Sequence, residues 1–119
     1  MNELRLGAAE SRFADIVWKN EPLSAAELVK LCEEELHWKR TTTYTVLKRL
    51  SERGFFQNQG GTVTSLISRD EFYSRHSEMY VDEVFNGSLP AFLAAFTSRK
   101  KLSDRELEEL QRLIDESRR

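Results

Sequence analysis

Between Leu36 and Gly54 five cations, Lys39, Arg40, Lys48, Arg49 and Arg53, face a single acid, Glu52, in a chain whose formal net charge is -2. Thr41, Thr42, Thr43 and Thr45 lie between the two cation pairs. Short hydroxyl side chains let a helix backbone approach base edges, and a threonine can donate, accept or set its methyl against a thymine methyl. Long cations on either side suit phosphates. The pattern points to a DNA-reading helix with Lys39, Arg40, Thr41, Thr42, Tyr44, Thr45, Lys48 and Arg49 as its DNA-binding residues. Two plainer readings stand beside it. Threonines can cap a helix start, Thr41 first among them, and a basic stripe can be a solvated face. Neither accounts for the threonines and the flanking cations occurring together.

Other constellations that could carry chemistry are weak. Cys32 and His37 straddle a helix end, and with His76 as the only further nitrogen ligand they cannot close a zinc site. Cys32 reads as a small core thiol, and His76, on an apolar helix face, as a satisfied interface residue. No motif sets a nucleophile beside a base, so no enzyme, metal or cofactor is expected. Gly60-Gly61 lacks the strand-loop-helix setting of a phosphate cradle. Trp38 either plugs the core under a turn or touches the nucleic-acid backbone.

The elements that must position the basic helix follow from periodicity. Phe13, Ile16 and Val17, with Ala9, predict an amphipathic helix over Ala8 to Asn20, stopped by Glu21-Pro22. Ser24-Ala-Ala-Glu27 is a capping box opening a second helix to about Glu35. The third starts near Arg40 or Thr41 and ends at Arg53, with Gly54 just past it. Thr43, Val46, Leu47 and Leu50 share its inward stripe. Thr41, Thr45, Lys48 and Glu52 lie opposite, flanked by Thr42, Tyr44 and Arg49. Phe55 to Gln59, Gly60-Gly61 and Thr62 to Ile67 read as a two-residue hairpin, because type I′ turns need positive φ at both central positions. Three helices followed by a hairpin is the order of a winged helix-turn-helix.

Ser68-Arg-Asp-Glu71 opens a fourth helix striped with Phe72, His76, Tyr80 and Val84 and stopped by Asn86-Gly87. Pro90 is placed as the first residue of a short helix, Ala91 to Phe96. Ser103-Asp-Arg-Glu106 opens a last one with Leu107, Leu110, Leu113 and Ile114 in line. The fold class is therefore mainly α with a small β-hairpin wing: residues 1–68 form the winged helix and residues 69–119 a helical dimerisation segment. Stripes without a sheet to cover them usually pack on a second copy. With 39% hydrophobic and 32% charged residues the chain is a folded rather than a disordered one. One cysteine excludes an internal disulfide framework and fits a reducing compartment. No run spans a membrane, and Met1-Asn2-Glu3 predicts no secretory leader, so a cytoplasmic location is expected.

Trp18, "SAAELV" of the second helix, "HWKRTTTYTVLKRLSERG" and the closing "LSDRELEELQRLID" resemble the penicillinase repressor family of winged-helix transcriptional regulators. The resemblance runs from about Leu6 to Asp115, and Thr42-x-x-Thr45-x-Leu47-x-Arg49-Leu50 matches best. It implies a cytoplasmic homodimer that binds a palindromic operator and blocks transcription, with Thr42, Thr45 and Arg49 on the DNA side. It also implies release by a regulatory protease cutting in the short helix between Asn and Phe. The matching bond here is Ala95–Phe96, where Ala95 replaces the Asn; Phe96 reads equally as a core anchor. Thr62 to Ile67 lacks the aromatics of the family's second wing strand. Asp115 to Arg119 lacks the cysteine cluster of its copper-responsive members. A winged-helix protein-interaction module without DNA binding is the alternative.

Overall fold

The computed structural model describes residues 4–119, so Met1-Asn2-Glu3 and the leader reading made on them lie outside it. In chain order the elements are α1 (Ala8–Asn20), β1 (Leu23–Ser24), α2 (Ala25–Leu36), α3 (Arg40–Glu52), β2 (Phe56–Gln59), β3 (Thr62–Ser65), α4 (Arg69–Phe85), α5 (Leu89–Arg99) and α6 (Asp104–Ser117). Helix α1 buries Phe13, Ala14, Ile16 and Val17 and leaves Ala9 exposed. Its first turn is closed by Glu10, whose Oε1 accepts from the Gly7 N–H at 3.0 Å. Ser24 Oγ accepts from the Glu27 N–H (3.0 Å), so α2 begins where its capping box requires. It ends on His37 with φ of 58°, while Trp38 N–H reaches back to the Cys32 carbonyl. That sharp closure sends the chain directly into α3.

The hairpin turns on Gly60 and Gly61, with φ of 60° and 89°, and Gln59 pairs with Thr62 across it. A third strand joins it: Leu23 and Ser24 pair with Val63 and Thr62, giving the order β1-β3-β2. Two residues are too few to show an alternating pattern, which is why the sequence predicts a hairpin alone. Ala25 N–H to the Gly61 carbonyl (2.8 Å) and Ser65 N–H to Glu21 Oε1 (2.8 Å) fix the wing to the start of α2 and the end of α1.

Two compact units divide inside α4, after Met79. The first extends beyond the wing because Phe72, 3% exposed, belongs to its core. The Phe72 ring packs on Phe55 (5.7 Å between centroids) and Trp18 (5.6 Å), and Trp18 Nε1–H donates to the Ile67 carbonyl at 2.9 Å. His76 stacks on Phe72 at 5.3 Å, and its Nδ1 donates to the Leu4 carbonyl (3.1 Å). The expected free stripe on α4 is therefore split. Phe72 and His76 are used within the chain, whereas Tyr80 and Val84 are exposed. Trp38 stacks on Phe13 at 5.8 Å, under the turn. Cys32 is fully buried, and that burial pushes its thiol pKa up against the opposing hydrogen bond with Thr43.

In the second unit α5 starts earlier than Pro90 suggests. Ser88 is the N-cap, accepting from the Ala91 N–H (3.1 Å), so Leu89 comes first, Pro90 second, and the helix continues to Arg99. Tyr80, Phe85, Phe92 and Phe96 form a run of ring contacts between 5.5 and 6.3 Å. Helix α6 opens on the Ser103/Glu106 box. Neither α5 nor α6 buries a single residue.

Candidate nucleic-acid interface

Helix α3 buries Thr43, Val46, Leu47 and Leu50, the inward stripe expected from its period. At about 100° per residue this sends Thr41, Thr45, Lys48 and Glu52 to the far side. Thr42, Arg49 and Arg53 occupy one flank; Arg40 and Tyr44 occupy the other. Lys39, Arg40, Thr41, Thr42, Tyr44, Thr45, Lys48 and Arg49 are all exposed, so one helix and its N-cap bring together the eight residues singled out in the sequence.

Their local chemistry differs from simple capping. The N-cap is Lys39, which makes no side-chain cap bond, and Thr41 lies inside the helix. The N–H groups of the first turn are thus left without a side-chain acceptor from the N-cap, beside Lys39 and Arg40. An anion is favoured at such an end. Thr43 Oγ1 bonds back to the Lys39 carbonyl (3.3 Å) and Thr45 Oγ1 to the Thr41 carbonyl (2.8 Å). Held so, Thr45 offers an acceptor lone pair and a methyl outward, its proton being committed. The Arg40 guanidinium lies 5.5 Å from the Tyr44 ring centroid, close enough for a cation–π contact that steadies it.

Arg49 is not a bare cation. Its Nη1 lies 3.3 Å from Glu10 Oε2, and Arg53 Nη1 lies 3.7 Å from the same oxygen. This contact spans 39 positions in sequence, and no period or motif signals it. Lys48 has no acidic partner among the described residues. The wing strands β2 and β3 with their turn, Phe56 to Ser65, carry no charged residue.

The Ala95–Phe96 bond lies within α5, one turn before its end. Ser98 Oγ donates to the Ala95 carbonyl (2.8 Å) and Lys100 N–H to the Phe96 carbonyl (3.0 Å), so both carbonyls flanking the bond are held. Phe96 is exposed and rests on Phe92. Among the described residues no group of His, Cys, Asp and Glu could hold a metal ion, and no helix is long and apolar enough to cross a membrane.

A family model described as penicillinase repressor matches residues 6–116. The methicillin resistance regulatory protein MecI of Staphylococcus aureus is 24% identical over 114 residues, covering 92% of this chain and 93% of that protein. The penicillinase repressor of Bacillus licheniformis is 24% identical over 116 residues, covering 94% and 91%. The penicillinase repressor of Staphylococcus aureus is 19% identical over 118 residues, covering 96% and 94%.

Proposed function

This chain belongs to the penicillinase repressor family, a family of DNA-binding transcriptional repressors, and on that premise we propose that it is a cytoplasmic, non-enzymatic repressor holding a palindromic operator as a homodimer through α3. The observation that carries the reading is the exposed face of α3. Thr41, Thr42 and Thr45 stand between Lys39 and Arg40 at one end and Lys48 and Arg49 at the other, above a buried stripe.

The threonines read base edges in the major groove, and the four cations, with the Tyr44 hydroxyl, bind phosphates. Thr45, its proton committed to Thr41, suits a base-pair edge that donates, such as an adenine or cytosine amino group, or a thymine methyl. The residues beyond Met79 supply the dimer. Leu107, Leu113 and Ile114 stay exposed on α6. A groove of about 290 Å³ between α5 and α6 is lined by Phe92, Leu93, Phe96, Leu102, Leu110 and Leu113. Release by a regulatory protease at Ala95–Phe96 requires α5 to open locally first, because that bond is helical.

The test is a DNase footprint of the purified protein on the chain's own upstream region. A protected palindrome whose half-site centres lie about one or two helical turns apart is expected. Protection absent at every concentration that saturates a positive control leaves the interaction-module reading in its place.

A further inference from the structure

We propose that Glu10 is a built-in counter-anion of the DNA-reading helix, competing with DNA phosphate for Arg49 and so limiting how tightly the protein holds DNA of any sequence. The inference rests on α3 being the DNA-facing helix. The carboxylate belongs to α1, not α3, and its side chain is only 19% exposed. One oxygen accepts from the Gly7 N–H at 3.0 Å; the other faces Arg49 at 3.3 Å and Arg53 at 3.7 Å.

The two arginines are unequal partners. Arg53, 26% exposed, lies with its guanidinium 5.3 Å from the Phe55 ring centroid and also donates to the Arg5 carbonyl, so it is fastened in place. Arg49, 54% exposed, lies on the flank that Thr42 shares, beside the threonine face. A phosphate reaching that flank meets a guanidinium already facing a carboxylate. Arg49 can exchange Glu10 for the phosphate without stranding a buried charge, because Glu10 keeps Gly7 and Arg53. Because Glu10 stays close to Arg49, the phosphate is only partly neutralised and up to one fewer counterion is released per protomer, and the carboxylate repels the incoming strand. Both effects act on every DNA sequence alike, and they weigh most on non-specific DNA, whose binding is almost wholly electrostatic.

Glu10→Gln tests this, because the amide oxygen can still accept from Gly7 and keep the start of α1 while the charge is gone. Full-length parent and variant are titrated by fluorescence anisotropy onto the upstream duplex and onto a scrambled duplex, over a range of salt. The expected result is that Glu10→Gln binds the scrambled duplex about 3- to 10-fold tighter at low salt, with a slope steeper by at most about 0.9 per protomer. In an Arg49→Ala background the same substitution should change little. Glu10→Asp, which keeps the charge but draws it back from Arg49, should shift affinity the same way by less, and it serves if the glutamine variant does not fold. A Glu10→Gln protein that binds no tighter than the parent overturns the inference alone, as does a gain that survives in Arg49→Ala. A parent that binds neither duplex removes the DNA reading of α3 as well.

Discussion

Phe72→Ala should strongly destabilise the winged helix from a position on the helix that leads out of it. The ring is 3% exposed, and its centroid lies within 5.1 to 5.7 Å of those of Phe55, Trp18, Tyr73 and His76. Truncating a buried phenylalanine costs about 3–5 kcal/mol, and the loss of all four ring contacts places this site in the upper half of that range. A unit of this size holds only about 5–10 kcal/mol in total. With roughly 4–8 °C per kcal/mol for a domain of this length, the melting temperature should fall by at least about 15 °C. The same reasoning fixes where the unit can be cut. A fragment ending at Met79 keeps Phe72 and His76, whereas one ending at Ile67 loses both and uncovers Trp18. Thermal melts followed by circular dichroism and tryptophan fluorescence compare the two. A fragment ending at Ile67 that melts within about 3 °C of the Met79 fragment would refute the assignment of Phe72 to this core.

Thr45→Ala should cost about 1–3 kcal/mol at particular operator base pairs, read by competition among single-base operator variants, whereas Lys48→Ala should weaken operator and scrambled DNA alike and lower the salt slope by about one per protomer. Leu113→Lys combined with Ile114→Lys should give monomers in sedimentation and cost about 100-fold in operator affinity, because linked half-site binding is lost. The Glu106 carboxyl is held below its ordinary pKa by the Ser103 backbone N–H and then by the Ser103 hydroxyl. Its contribution to the start of α6 is therefore present above the unfolded value, near 4.3, and lost as pH falls through the lower folded one. Helicity measured between about pH 5 and pH 3 should fall less in Glu106→Gln than in the parent.

What the sequence makes legible here is what short-range physics decides. The inward stripe of α3, the boxes at Ser24 and Ser103 and the Gly60-Gly61 turn are written within eight residues each, and all are found as expected. Most of the misses are contacts made across the fold. Strand β1 exists only because β3 presents its edge to Leu23 and Ser24. Ser88 caps α5 without an acid three residues later to announce it, so Pro90 draws attention one position too far along. The α4 stripe has a helical period throughout, and period alone cannot say that Phe72 meets Phe55 while Val84 meets solvent. At the candidate interface the residue types and the exposed face were readable. The Glu10 pairing that tempers Arg49, and the Thr41 carbonyl that occupies the Thr45 hydroxyl, were not.

The most direct test of α3 as an operator reader is the salt dependence of binding to a duplex of the chain's own upstream region. Lys39, Arg40, Lys48 and Arg49 from two protomers would neutralise up to about eight phosphates, so log K against log salt should fall with a slope near −7, or somewhat less steep if Glu10 retains part of Arg49. Two chains should bind per duplex, and Lys48→Ala should flatten the slope by about two for the dimer. A slope near zero, or one that Lys48→Ala leaves unchanged, would contradict the account.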